Sequence, residues 1–370
     1  MRKSGPLSLA FWWIGQIPQQ QSTTLALKWP KLSKGVQKKL DFAGITLYLM
    51  RLSPETRQRC EEKSVLNMKK TYHLCLSAGE EVMFRDVEDY NRGFNCFALA
   101  LYNTDSTGLV ESEMSTLYHQ MIQSADPNAF MRNFRLSYGM YFNRKYHRSG
   151  KLGEKHHYTM EVVGYNHMIA AMSYVLRNAL HHGVAPIPYA YPYSSVNSIF
   201  MKEMGKMPYD GMLDRRYYHR YISKAAHFPD NYVMNESGVF LRESVLDIPQ
   251  VENLFVTPRS FNWHMTRKSS EEWESEQRRE NDLPPINLSV IERGVSMNSQ
   301  AEMLVNENGK SNYRRPSDMD ICAEIDNNIL PRYHKVSVYH LSRQERQQIA
   351  EYLYRAFHIS ESQIRRCLVM

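Results

Sequence analysis

The spacing of apolar and polar residues sets out an ordered stretch in the middle of the chain. Residues 71–76, TYHLCL, read as a strand, and a turn follows at 77–81. Val87, Tyr90, Phe94, Phe97 and Leu101 then recur at helical spacing and predict a helix within residues 84–103. Turn chemistry at 105–108 leads into residues 109–122, which read as one extended, sheet-forming segment. In a strand alternate residues share a face, so Leu117 and His119 point the same way. Asp126-Pro127 opens a second helix with Phe130, Phe134, Tyr138 and Tyr141 on one side. A third helix covers residues 168–182, where Met168, Met172, Val175, Leu176 and Ala179 fall in one apolar arc roughly 100° wide. Tyr174 and Asn178 lie on its opposite side, one turn apart and flanked by His167 and His181. That stripe reads either as a solvated face or as a set of groups placed for chemistry.

Outside this stretch the patterning is weaker. Residues 1–67 show no sustained period and form an N-terminal extension, with one short helix at 53–63 opened by Ser53-Pro54-Glu55. The ordered unit spans residues 68–200 and closes on a Pro- and Tyr-rich segment at 184–196. A helical extension at 201–297 includes a basic helical run at 215–227, short helices around Pro249 and Pro258, and a charged helix at 271–285. Residues 298–318 read as a linker. Within the last segment, 319–370, two helices are joined by a tight turn, with Ile349, Leu353 and Phe357 lining the first. Ser360 and Gln363 form a capping box for the second, and Ile364, Cys367 and Leu368 face inward. Gln363, Arg365 and Arg366 project from it, the layout of a DNA-recognition helix-turn-helix. A plain helical hairpin used for packing or dimerisation is the alternative.

Charge sharpens this picture. Among 370 residues, 46 Lys and Arg against 39 Asp and Glu leave a net +7, and the surplus is local. Residues 131–160 hold Arg132, Arg135, Arg144, Lys145, Arg148, Lys151 and Lys155 against the single acid Glu154. In the loop at 143–157 these cations alternate with Tyr146, His147, His156 and His157, which suits phosphate contacts and base stacking as well as a solvated charge run. The five cysteines are widely spaced with no CxxC pair, which argues against structural zinc or a disulfide framework and for a reducing cytoplasm. The apolar run at 9–15 is far too short to span a bilayer, so the chain reads as soluble with no membrane partner.

Five segments in order carry a resemblance to a known family. YHLCLSAGEEVMFRDVEDY (72–90) looks like an opening strand, Gly turn and Phe-Arg-Asp stretch, and MSTLYH (114–119) stands where a His-x-His metal strand is expected. SYGMYFNRKYHRSGKLG (137–153), SYVLRNALHHGV (173–184) and YAYPYSSV (189–196) complete the series. Together they resemble the REP-associated tyrosine transposases, a branch of the single-tyrosine HUH DNA-nicking enzymes. The resemblance implies an α+β fold: a ferredoxin-like antiparallel sheet with helices on one side, followed by a mainly helical C-terminal region. It makes Tyr174 the nucleophile, His119 and Asn178 ligands of a divalent metal (Mg²⁺ or Mn²⁺), and single-stranded or hairpin DNA the substrate, handled by a monomer or homodimer. Arg144, Lys145, Arg148, Lys151 and Lys155, with Gln363, Arg365 and Arg366, become the DNA contacts. Leu117 departs from the pattern, because it occupies the first histidine of the pair and cannot bind a metal. Ala179 also replaces the usual Pro. A domesticated, non-cutting DNA-binding protein and an RNA-binding protein on the same sheet therefore stay open, as does an ordinary buried role for His119.

Overall fold

The computed structural model describes residues 68–206, 211–266 and 315–370. The helices expected at 53–63 and 271–285, and nearly all of the linker at 298–318, lie outside the described residues.

Six elements come first: β1 (Lys70–Ser77), α1 (Val87–Asn103), β2 (Thr107–Glu113), β3 (Leu117–Ser124), α2 (Pro127–Lys145) and β4 (Tyr158–Glu161). The sheet order is β2-β3-β1-β4, and every neighbouring pair is antiparallel. β3 is thus inserted between β1 and β2, the split βαβ arrangement of a ferredoxin-like sheet, in agreement with the expected α+β class. The expected single segment at 109–122 is instead a hairpin. Met114 and Leu117 close it by exchanging backbone hydrogen bonds, and the Ser115 hydroxyl in the turn donates to the Asp318 carboxylate at 2.8 Å.

Both helices start where a carboxylate can accept first-turn amides. The Asp86 side chain takes the Asp89 N–H, and Asp126, just before Pro127, takes that of Ala129. α1 approaches β2 closely at Gly93, where a Cβ would come within 2.5 Å of both Glu113 Oε1 and Phe84 Cε1. Tyr118 of β3 packs against Phe84, Phe97 of α1 and Phe134 of α2, so these two helices share one face of the sheet. Its neighbour His119 points to the other face, onto α3 (Tyr165–Leu176).

α3 is not an exposed two-faced helix. Met172, Val175, Leu176 and Ala179 are buried as the arc predicts, but so are His167, Ser173 and Asn178. A second layer accounts for this: α4 (Ile248–Phe255) and α5 (Pro258–Thr266) cover α3, and the Tyr165 hydroxyl donates to the Leu254 carbonyl. The helix also ends earlier than expected, at Leu176, with one further turn at Asn178–His181 after Arg177. The segment after it runs along β2, where Tyr193 accepts from the Glu113 amide and Ser195 from that of Glu111. Of the basic helical run at 215–227, only a 3₁₀ turn at Arg215–Arg220 forms.

The C-terminal segment comprises α6 (Asp318–Glu324), α7 (Arg343–Phe357) and α8 (Glu361–Leu368) around an apolar cluster of its own that also takes in Val82. It is tied to the β1–α1 loop. The buried Arg85 guanidinium donates to Asp326 at 2.8 and 3.1 Å and to the Cys367 carbonyl, while the Tyr339 hydroxyl reaches Glu81. Ser342 and Glu345 form a capping box at α7. At α8 only half of one forms: Ser360 accepts from the Gln363 amide, whereas the Gln363 side chain donates to the Pro316 carbonyl.

Candidate active site

Register decides which side chains meet over the open face of the sheet. Cys75 of β1 lies opposite His119 of β3, and Ser112 of β2 lies on the other side of His119. Alternation places His73, two residues before Cys75, on the same face, with Tyr158 of β4 opposite Cys75 and Met160 opposite His73. His73 Nε2 and His119 Nδ1 are 3.0 Å apart and share a hydrogen bond, with their rings stacked at 5.2 Å. Tyr174 descends from α3 onto the pair. Its ring stands edge-on at 5.3 Å from His119 and at 5.9 Å from His73. Tyr158 closes the fourth side at 5.4 Å from His73.

His73 is the residue that sequence reasoning missed. It sits in plain view in the first strand, but nothing within one strand says which residue of another it will face. Leu117, at the position expected for a metal histidine, is 1% exposed and belongs to the core. The second imidazole beside His119 comes instead from the neighbouring strand. Nor is His119 partly buried against a backbone carbonyl: it is fully buried, with the His73 imidazole at Nδ1 and the Cys75 thiol 3.7 Å from Nε2.

Burial without countercharge keeps the cluster neutral. Desolvation pushes the His73 pKa down to about 3. His119 is held well below the ordinary histidine value by burial first, then by His73, His182 and His181. Burial likewise takes His182 down to about 4, and it raises the Cys75 thiol and lifts Tyr158 to about 12. At neutral pH the site therefore offers uncharged imidazoles, able to accept a proton or to donate a lone pair to a cation.

The donor set is small. Among the described residues no group of three or more His, Cys, Asp and Glu side chains is placed to hold a metal ion. The Asn178 amide, one helical turn beyond Tyr174, is fully buried, and neither of its polar atoms meets a hydrogen-bond partner; His73 Nδ1 has none either. Such orphaned polar atoms are costly unless something engages them.

No protein family and no curated protein matches this chain by sequence. Among solved structures, that of a REP-associated tyrosine transposase bound to a REP hairpin aligns with 44% of this chain and 94% of its own, at 10% identity and a TM-score of 0.33. The likeness is distant.

The expected DNA contacts divide by environment. Arg144, Lys151 and Lys155 are exposed. Lys145 is instead clamped by Asp86, Glu88 and Asp89 at 2.7–3.0 Å, and Arg148 is paired with Glu81 at 2.8 Å. The helix-turn-helix reading needs the larger correction. Gln363 and Arg366 do not project from α8. Both are buried, with Arg366 donating to the two Asp318 oxygens at 2.6 and 2.8 Å, so neither can meet a phosphate or a base edge. Arg365 is exposed and pairs with Glu361 one turn away. The amphipathic pattern of α8 hides this outcome, because a buried arginine neutralised by a distant aspartate looks in sequence like a surface arginine. No described helix is long and apolar enough to cross a membrane.

Proposed function

We propose that this chain nicks and rejoins single-stranded or hairpin DNA through a covalent bond to Tyr174. The observation that carries the reading is the placement of the Tyr174 ring edge-on at 5.3 Å from a fully buried, neutral His119 that is itself bonded to His73. Of the four ring nitrogens of the pair, His73 Nδ1 alone meets no partner, and a neutral imidazole next to a phenol is a base able to take its proton. The phenolate oxygen then attacks phosphorus, the bond to the 3′ oxygen breaks, and the proton held by imidazole passes to that leaving oxygen. The products are a 5′-phosphotyrosine and a 3′-hydroxyl, and the reverse sequence rejoins the strand without consuming a nucleotide. Tyr174 is half-buried whereas both histidines are fully buried, so the tyrosine edge is where a strand gains access.

His73, His119 and the amide oxygen of Asn178 are the residues that would hold a Mg²⁺ or Mn²⁺ ion; His73 Nδ1 and the Asn178 oxygen are unsatisfied and suit that role, whereas His119 would have to give up its contact with His73 or Cys75. When bound, the ion supplies positive charge against that developing on the phosphoryl oxygens.

The test is incubation of the protein with labelled hairpin DNA and Mn²⁺ or Mg²⁺, followed by a denaturing gel. Wild type forms a covalent adduct, Tyr174→Phe forms none, and His119→Ala and His73→Ala lose about 10²-fold or more in rate. Binding of the hairpin without any adduct would favour recognition without cutting. The burial of Leu117 in the core, and the lack among the described residues of three His, Cys, Asp or Glu side chains grouped to hold a metal ion, are what speak for that second reading.

A further inference from the structure

A cleft of about 610 Å³ opens between α2 and the loop leading into β4, on the side of the sheet away from Tyr174. Four cations line it: Arg132, Arg135, Lys151 and Lys155. None of the residues lining it is acidic. The loop is held in place by Arg135, which donates to the carbonyls of Leu152 and Glu154, and by Lys151, which donates to that of Lys155. Arg132 and Lys155 remain exposed at the rim. Beside these charges stand two apolar side chains that a solvated charge run has no need of, Leu136 at 63% and Met140 at 60% exposure. Cations next to an open apolar wall match phosphates next to unstacked bases, whereas a duplex keeps its base faces covered.

The cleft also adjoins the tyrosine site. Thr159 of the edge strand β4 lines it, while the flanking Tyr158 and Met160 point to the opposite face, where Tyr158 meets His73. Only the thickness of one edge strand separates the two. We propose that this cleft is a second DNA-binding site, which holds the single-stranded flank of a strand whose scissile phosphate lies at Tyr174. The assignment rests on the function proposed above for its choice of DNA. Burial holds the His157 pKa below the ordinary histidine value, and the charges of Arg135, His156 and Lys151 add to it.

The experiment measures binding of a fluorescent oligothymidine of about twelve nucleotides to the full chain, by anisotropy between about 50 and 200 mM salt. Arg132→Ala/Lys155→Ala is expected to weaken binding roughly tenfold at low salt and to reduce the log–log salt slope by about 1.4, from about 0.7 per lost phosphate contact. The variant Arg355→Ala, an exposed arginine of α7 that pairs with Glu351, leaves both unchanged. His157 is expected to titrate at higher pH, by imidazole NMR, with the oligonucleotide bound. Wild-type affinity and slope in the double variant overturn the proposal, and so does binding of oligouridine roughly tenfold tighter than oligothymidine. The hairpin adduct assay keeps the two readings apart. Oligothymidine binding that needs Arg132 and Lys155, without any adduct, upholds the cleft and defeats the nicking reading; adduct formation with unaltered binding in the double variant does the reverse.

Discussion

The two faces of the sheet each bury a polar cluster, and the two are built on opposite principles. On the face covered by α3, His73, His119 and Tyr174 sit together with both imidazoles kept neutral by desolvation. On the face covered by α1, Glu111 and Glu113 of β2 are fully buried against Arg242, which stands 2.6 Å from Glu111 and 3.7 Å from Glu113. One guanidinium can balance one carboxylate. Burial raises the pKa of both acids, and Glu113, with Glu111 beside it, is pushed well above the carboxylate range and stays protonated. The carboxylate cluster is enclosed and joins the extension to the sheet. The histidine cluster carries no such charge balance, and its half-buried tyrosine opens to solvent. Buried polarity alone therefore does not mark a site. What distinguishes the histidine cluster is its neutral, proton-accepting groups beside a half-buried tyrosine.

The largest effect that would break this contrast lies on the ionic side. Arg242→Met leaves Glu111 without its partner and is expected to cost about 3–5 kcal/mol in denaturant unfolding. Glu113→Gln keeps the shape of a protonated acid and is expected to cost less than about 1 kcal/mol. Comparable losses from both substitutions would mean that Glu113 is ionised. Arg366→Ala, which strips the buried Asp318 of its arginine, belongs to the same class at about 3–5 kcal/mol, whereas Arg365→Ala on the exposed side of α8 costs at most about 0.5 kcal/mol.

The pH dependence sharpens the comparison, because the two clusters bend stability in opposite directions. His73 has a lowered folded pKa, so its contribution is present above about pH 6.5 and is lost as pH falls toward about 3, at up to about 1.4 kcal/mol per pH unit. Glu113 has a raised folded pKa, so its contribution is present at low pH and is lost as pH rises above the usual carboxylate range. His73→Phe should flatten the acid limb of the stability profile, and Glu113→Gln should flatten the limb above about pH 4.5. The smallest expected change in stability is that of Tyr174→Phe, about 1 kcal/mol or less for one hydroxyl, even as the covalent adduct disappears.

Much of the fold was legible before any coordinate. The spacing of Phe94 and Phe97, the helix opening at Asp126-Pro127, and the turn between the last two helices were read correctly, because each depends on residues a few positions apart. Tyr174 and His119 were paired by resemblance, and the structure brings their rings to 5.3 Å. The errors share one cause. Residues 109–122 read as one segment because Ser115 and Thr116 show little turn chemistry, and the turn is held by Asp318, some two hundred residues further on. Gln363 and Arg366 looked like a reading surface because their partners, Pro316 and Asp318, lie a long way back along the chain.

Local chemistry, then, determined where helices and strands form, which residues could attack, and where positive charge gathers. Tertiary structure decided which charges are spent and which imidazole faces which. Lys145, Arg148 and Arg366 are neutralised by carboxylates on other elements, and the imidazole beside His119, which the resemblance would put at the position of Leu117, comes from His73. The physical reason is one of range. Periodicity and capping act across a single turn or strand, whereas desolvation and ion pairing depend on whatever the fold brings within a few ångströms.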